Sequence, residues 1–414
     1  MEIITFIIYA SIYIGLVATT FYILTYTASR KKELLFSDDE LPMVSILIPA
    51  YNEEKSIKRT INSILKSDYP KSKFEVIVIN NNSQDRTLEV AKNLSKSNRQ
   101  LRVFTEMKQG KGCALNLGIS KAKGEIIFTM DADTSVHPQT MKKMTRYFKE
   151  PEIYSVTPGM VIDKPKNLLQ RIQYTEYLLG LFLRKTFSLL NAIYITPGAF
   201  SAYRAEFFKK YGGYDENNIT EDLEISLRIQ FNGHKIANVP DAPAYTIAPN
   251  KFSHLLNQRK RWYIGLIKNT WRYRRLISLK YGDMGIFVMP IAWISILFAV
   301  VITGYLFIDT LINVKDELLF LQNINYDFSN FLSLNYFFFE RLFFRLATNT
   351  MLIFILMFIT VLGIYLYYAR KKVGRLHTPF FNLILFFIFF AVLFGFWWVV
   401  SIVYVLFNRE IKWK

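Results

Sequence analysis

The sequence predicts an α/β domain built on a mostly parallel sheet and joined to an α-helical transmembrane region. Composition is the first sign. At 51% hydrophobic and 20% charged residues, the 414-residue chain is too apolar for an average soluble enzyme and too charged for a pure membrane bundle. The second sign is placement, because the apolar residues gather in long stretches toward the two ends of the sequence. The third is a regular alternation, from Met43 onward, of short Ile- and Val-rich runs with segments of helical spacing. That alternation is the signature of strands buried on both faces of a parallel sheet.

The elements follow in order. Residues 4–28 carry no charge and reach the roughly 20 residues a bilayer span needs. "SRKKE" follows, with no small-residue cleavage site, so residues 1–30 read as a transmembrane anchor and not a signal peptide. "VSILIPA" (Val44–Ala50) reads as a strand leading to a helix over 54–66, and "FEVIVIN" (Phe74–Asn80) as a strand leading to a helix over 85–97. "LRVFTE" precedes a helix over 111–122, and "EIIFTMD" one over 138–149. Open parallel sheets bind ligands at the carboxyl ends of their strands. Asn52 and Glu53, Asn80–Asn82, and Asp131 with Asp133 all fall at such ends.

Beyond a globular domain over 41–265, residues 266–283 read as an interfacial helix and 284–414 as a transmembrane region of about three helices (284–312, a span within 342–368, and 379–407). Lys and Arg favour the cytoplasmic side of a membrane. "SRKK" and "ARKKVGRLH" (369–377) therefore place the globular domain in the cytoplasm and the acidic loop around 315–327 outside, giving a multi-pass protein of the cell membrane. The basic tail "NREIKWK" runs against this orientation. The net charge of +18 fits anionic membrane lipids and anionic substrates; no nucleic-acid recognition motif accompanies it. The single Cys113 excludes an intrachain disulfide and a cysteine-rich metal site.

Three stretches carry candidate chemistry. In "TMDADTSVHP" two carboxylates stand two apart at a strand end, where an extended chain points both the same way. Asp131 and Asp133 can then share a divalent cation that holds a diphosphate, or else simply cap the next helix. In "NNITEDLEISLRIQF" the acids Glu221 and Asp222 open a helix, and Asn218 with Glu221 resembles a capping box. Asp222 is also a candidate general base, and one carboxylate can fill both roles. In "LLNQRKRWYIG", Arg261 offers a planar fork to phosphate and Trp262 a flat face to a sugar; the same residues suit an interfacial segment.

"IPAYNEE", "MDADT", "ITEDLEISLR" and "QRKRW" together resemble the membrane-embedded family 2 glycosyltransferases, which include cellulose, chitin, hyaluronan and poly-N-acetylglucosamine synthases. The resemblance implies a GT-A (Rossmann-like) fold that binds a nucleotide sugar, with a UDP-sugar the expected donor. On it, Tyr51, Asn52, Glu53 and Asn81 surround the nucleoside, Lys111 helps hold the nucleotide, and Arg261 positions the diphosphate. Asp131 and Asp133 bind Mg2+ or Mn2+, and Asp222 deprotonates the acceptor for inverting transfer. Gln258, Trp262 and Glu221 meet the acceptor, and "TPGAF" (196–200) lines its site. The second-strand segment departs from the family pattern, having Asn80, Asn81 and Asn82 in place of an acidic pair with glycine. No gating-loop motif follows Gly265.

The expected product is a growing polysaccharide made at the cytoplasmic membrane face, with an accessory subunit compatible. The alternative is transfer of one sugar to a lipid acceptor, a polyprenyl phosphate or a glycolipid. A non-catalytic nucleotide- or lipid-binding protein is disfavoured by the retained carboxylates and the Arg-Trp pair. A transporter is disfavoured by the few charges within the spans.

Overall fold

The runs Val44–Ala50, Phe74–Asn80 and Ile126–Met130 are buried along nearly their whole length, which explains the sheet, and Leu101–Thr105 at its edge is only partly buried. The computed structural model describes residues 2–29, 40–326 and 380–407, with scattered residues between 339 and 367. Strands β1 (Val44–Ala50), β2 (Phe74–Asn80), β3 (Leu101–Thr105) and β4 (Ile126–Met130) alternate with helices α2 (Ile57–Leu65), α3 (Thr87–Lys96) and α4 (Lys111–Lys121), after the N-terminal α1 (Glu2–Ala28). The pleat sends alternate side chains to opposite faces. Ile46 and Ile48 of β1 accordingly pack with Ile57 and Ile61 of α2, while Leu47 between them packs with Ala114 and Leu115 of α4. Each such fully buried aliphatic side chain contributes about 1.5–3 kcal/mol.

The second half adds β5 (Ser135–Val136), α5 (Thr140–Thr145), β6 (Ile153–Ile162), α6 (Leu168–Leu189), β7 (Phe200–Arg204), α7 (Ala205–Tyr211), α8 (Glu221–Phe231), β8 (Lys235–Thr246) and α9 (Phe252–Arg272). The sheet order is β3-β2-β1-β4-β7-β6-β8-β5. The first four strands are parallel, as the alternation predicts, whereas β7 runs antiparallel to both β4 and β6. The reversal has no signal in the strand sequences, because β7 reaches β4 only after β5, β6 and the long α6 have intervened.

Helix α9 carries the QRKRW segment and is clamped to the start of α8. A Cβ at Gly265 would stand 2.1 Å from Thr220 Oγ1, so only glycine permits this crossing. One turn on, Asn269 Nδ2 donates to Thr220 Oγ1 at 3.0 Å and to Asn218 Oδ1 at 3.2 Å. The helix runs unbroken past residue 265, where a separate interfacial helix was expected to follow. Two 3-10 turns, Arg274–Leu276 and Leu279–Tyr281, then lead to the apolar helix. Trp271 and Leu279 are exposed there beside Arg274, Arg275 and Lys280, a mixture suited to a lipid interface.

Among the described residues, Ile3–Ala28 and Met284–Asn323 are long and apolar enough to cross a bilayer. The second includes α10 (Met289–Asn323), so the segment expected to be an acidic loop is helical as far as Asn323. "VKDELLFLQN" contains good helix formers and no Gly or Pro to stop it. A further apolar helix, α11 (Phe380–Leu406), packs against α9 and α10, with Tyr263 stacked on Trp398 at 4.4 Å. The expected span within 342–368 falls largely outside the described residues, as do "ARKKVGRLH" and the basic tail.

Candidate active site

A cavity of about 1060 Å3 opens at the carboxyl ends of β1, β2 and β4 and continues between α6, α8, α9, α10 and α11. Tyr51, Asn52, Glu53, Asn81, Lys111, Asp131, Asp133, Glu221, Asp222, Gln258, Arg261 and Trp262 all line it. The fold thus gathers every candidate residue at one place, although the roles their contacts allow differ.

Asp131 and Asp133 converge by a different route from the one expected. β4 ends at Met130, and Thr134 N–H donates to Asp131 O at 3.1 Å, closing a turn where an extended strand was expected. Helix α2 holds this turn: Thr60 Oγ1 donates to Ala132 O at 2.7 Å and Arg59 Nη2 to Asp133 O at 2.7 Å. Burial, then the Asp131 and Glu53 carboxylates, push the Asp133 carboxyl up to about 7. Burial is also the first cause of the raised Glu53, and its hydrogen bond from Ser56 only partly offsets this.

Lys111, the first residue of α4, is the cation among these acids. Its Nζ lies 2.7 Å from Asp131 Oδ1 and 2.9 Å from Glu221 Oε1. Burial alone would depress the ammonium, but Asp131, Glu221 and Asp222 outweigh it and hold the group firmly protonated. Glu221, expected beside the acceptor, is therefore buried and paired with Lys111.

The loop before β7 fixes Asp222. Its Oδ2 accepts from the Gly198 N–H at 3.0 Å, its Oδ1 from the Leu223 N–H at 2.9 Å, and Thr196 Oγ1 donates to its carbonyl at 2.8 Å. A Cβ on Gly198 would come 2.7 Å from Lys111 Nζ and 3.1 Å from Asp222 Oδ2, so the loop touches both through bare backbone. Burial, then Glu221, raise the Asp222 carboxyl to about 6, against the lowering pull of Lys111 and the Gly198 N–H. A carboxyl poised there can accept a proton near neutral pH. The capping box expected from Asn218 does not form. Thr220 is the N-cap, and Asn218 Oδ1 instead accepts from Thr220 N–H at 3.1 Å in a turn before the helix.

The two donor-side asparagines are occupied by the protein itself. Asn81 Nδ2 donates to Glu106 O at 3.2 Å and Lys108 O at 2.7 Å, and its Oδ1 accepts from Gly110 N–H at 2.8 Å. Both donors of the expected base-binding amide are thus used to shape the loop leading to Lys111. Asn52, at φ +54°, accepts from Gln84 N–H at 2.8 Å and ties the first two strand loops together.

Two residues have a pairing that no local sequence pattern shows. Arg259, inside the QRKRW segment, forms a bidentate pair with Glu176 of α6 at 2.6 and 2.7 Å. Its guanidinium lies between the rings of Trp262 (4.6 Å) and Trp397 (5.2 Å). One face of Trp262 therefore serves this arginine, and Arg261 is left half-buried at the cavity wall. Glu176 is 83 residues from Arg259, and no local pattern links them.

Known proteins resemble this chain in sequence and in fold. Residues 45–212 match the model of glycosyl transferase family 2. The poly-beta-1,6-N-acetyl-D-glucosamine synthase of Staphylococcus epidermidis is 30% identical over 273 residues, which cover 64% of this chain and 65% of that one. The synthase of the same name from Staphylococcus aureus is 30% identical over 243 residues, 58% of each chain. The chain thus aligns with less than two thirds of either relative's length. Among solved structures, the mannosyltransferase PcManGT of Pyrobaculum calidifontis, in complex with GDP-Man and Mn2+, superposes over 99% of both chains with a TM-score of 0.63 at 18% identity. That likeness establishes the GT-A fold. Residues 45–212, with the motifs and the sheet that carries them, are thus similar to glycosyl transferase family 2.

Proposed function

We propose that the protein transfers a sugar, with inversion, from a nucleoside diphosphate sugar to a growing polysaccharide at the membrane face. The observation that carries this reading is the Asp222 carboxylate, held by the Gly198 N–H beside Lys111 in the cavity where the sheet's acidic turn ends. In this mechanism Asp222 takes the proton of an acceptor hydroxyl. The freed oxygen attacks the anomeric carbon from the face opposite the diphosphate, and the bond from that carbon to the diphosphate oxygen breaks. Lys111 and Arg261 hold the departing charge, and Trp262 offers its remaining face to the acceptor sugar. The chain's likeness to poly-beta-1,6-N-acetyl-D-glucosamine synthases makes a UDP-linked amino sugar the first donor to try.

The acidic turn fits a divalent cation. Burial first, and then repulsion from neighbouring carboxylates, raises Glu53 and Asp133, and a cation relieves that repulsion. Among the described residues no cage of three or more His, Cys, Asp or Glu side chains is arranged for a metal. Asp131 and Asp133 would instead hold Mg2+ or Mn2+ jointly with substrate phosphates, as magnesium sites with one or two carboxylates do. When bound, the cation would neutralise diphosphate charge.

Transfer to a lipid acceptor is a second reading, favoured by the apolar end of the cavity, where Ile296, Phe386, Phe394 and Trp398 line it between α10 and α11. The test is nucleoside diphosphate release by the purified full chain, with Mg2+ or Mn2+, across UDP- and GDP-sugars, with products sized and their anomeric configuration read. Metal-dependent turnover giving an inverted ladder upholds the polymer reading. A single inverted lipid-linked sugar moves it to the second, and retention of configuration or indifference to chelator removes that part of the mechanism.

A further inference from the structure

The cavity contains a second arginine that the transfer chemistry leaves unused. Arg184 lies on α6 and lines the cavity, yet it forms no ion pair with any described residue. Its Nη1 atom is sealed from solvent without a hydrogen-bond partner. The nearest acid along the helix, Glu176, gives both carboxylate oxygens to Arg259 at 2.6 and 2.7 Å. Nη2 of Arg184 stands 3.5 Å from where a Gly180 Cβ would be, so the side chain runs back along α6 toward that occupied carboxylate. Burial pushes the guanidinium below its usual value, and the groups that oppose burial are Tyr177, Tyr194 and Glu176.

An arginine cannot shed its proton to escape burial, and a buried charge without a partner is costly. Such a group is stable where an anion completes it, and a guanidinium fork matches phosphate oxygens. The surroundings indicate where the anion comes from. Helix α6 packs against α1 and α11 as well as β6 and β8. Phe187, one turn beyond Arg184, meets Tyr22 of α1 edge-on at 5.4 Å and Tyr194 at 5.9 Å. Arg184 thus sits where the globular domain meets apolar helices, while Tyr177, two turns before it on α6, also feels the Asp133 carboxylate of the acidic turn. The Tyr177 and Tyr194 hydroxyls, both on residues lining the cavity, make no hydrogen bond to a described residue and can donate to the same ligand.

We propose that Arg184, with the hydroxyls of Tyr177 and Tyr194, binds the phosphate of a membrane lipid on the acceptor side of the cavity. This rests on the reading of the cavity as a transferase site only for the word acceptor. The phosphate is either the headgroup of an anionic phospholipid or the monophosphate of an isoprenoid acceptor.

The full chain in detergent is titrated with farnesyl phosphate and, separately, with UDP, for the wild type, Arg184→Gln and Arg184→Lys. Wild type is expected to bind farnesyl phosphate saturably. Arg184→Gln should weaken that binding about ten- to a hundredfold, the equivalent of one charged hydrogen-bonding group, with Arg184→Lys recovering part of it. UDP affinity should stay unchanged throughout, which also certifies the fold. Competition with phosphatidylglycerol separates the sources: displacement assigns the headgroup, and no displacement the isoprenoid monophosphate. Equal farnesyl phosphate binding by wild type and Arg184→Gln overturns the proposal, as does no saturable binding of either lipid. A fall in UDP affinity in Arg184→Gln that Arg184→Lys restores overturns it too, by moving the residue to the donor site. Should Arg184→Gln fail to fold, Tyr194→Phe and Arg184→Lys carry the same comparison. The readout is binding, so absent sugar turnover would sink the transferase reading and leave this one standing.

Discussion

The two halves of the sheet treat their charges differently. On the β1–β4 side, Asp131, Asp133 and Glu53 crowd one another and Lys111 pairs with Asp131, an arrangement that on the proposed function changes partners when a diphosphate binds. On the α6–α9 side, Arg259 is closed into a bidentate pair between two tryptophans, and Asp222 is held by backbone N–H groups of two separate segments. A region that binds and releases a charged ligand keeps its charges unsatisfied. A region that must hold one carboxylate at one position uses up its hydrogen bonds to do so. Lys111 joins the halves by pairing with Asp131 on one side and Glu221 on the other.

The largest effect expected from breaking this division is at the base. Asp222→Asn should bind donor as wild type does but lose about 10²- to 10⁴-fold in transfer, the usual contribution of a general base. Nucleoside diphosphate release beside donor titration checks it, and full activity would remove Asp222 from the role. Glu176→Gln comes next. It strands Arg259 in its aromatic sandwich, and thermal unfolding should show a loss of about 3 kcal/mol or more, as for other broken buried pairs. An unchanged Tm would mean the pair is incidental to α9. A smaller effect is expected at the seam. Gly198→Ala puts a methyl against Lys111 Nζ and Asp222 Oδ2, an overpacking worth about 1–3 kcal/mol that should appear in turnover more than in donor affinity.

The subtlest effect is on pH. Asp222 must be ionised to act, so transfer should fall as pH drops through about 6. Lys111 holds that value down, so in Lys111→Met the acid limb should move to higher pH at saturating donor. An acid limb that stays in place would mean Lys111 does not act electrostatically on the base.

Strands β1 and β2 begin and end where their apolar runs do, because a strand buried on both faces must be apolar along its whole length. The acidic turn, the TED helix start and the QRKRW segment were likewise readable, since each puts its chemistry on adjacent residues. Asn81 was harder. Its identity is visible, but whether its amide meets a base or its own loop depends on the backbone of 106–110. The role of Arg259 has no local sign, because its partner lies on another helix.

The sequence by itself determined the alternation of strands and helices, the apolar helices, and the identity of the carboxylates at the strand ends, because hydrophobic period and local motif act over a few residues. Only the tertiary structure decided the reversed β7, the Gly265 crossing that brings α9 onto α8, the Arg259–Glu176 pair and the unpartnered Arg184. Those features depend on which distant surfaces meet, and a buried charge acquires its meaning from the group that does, or does not, come to face it.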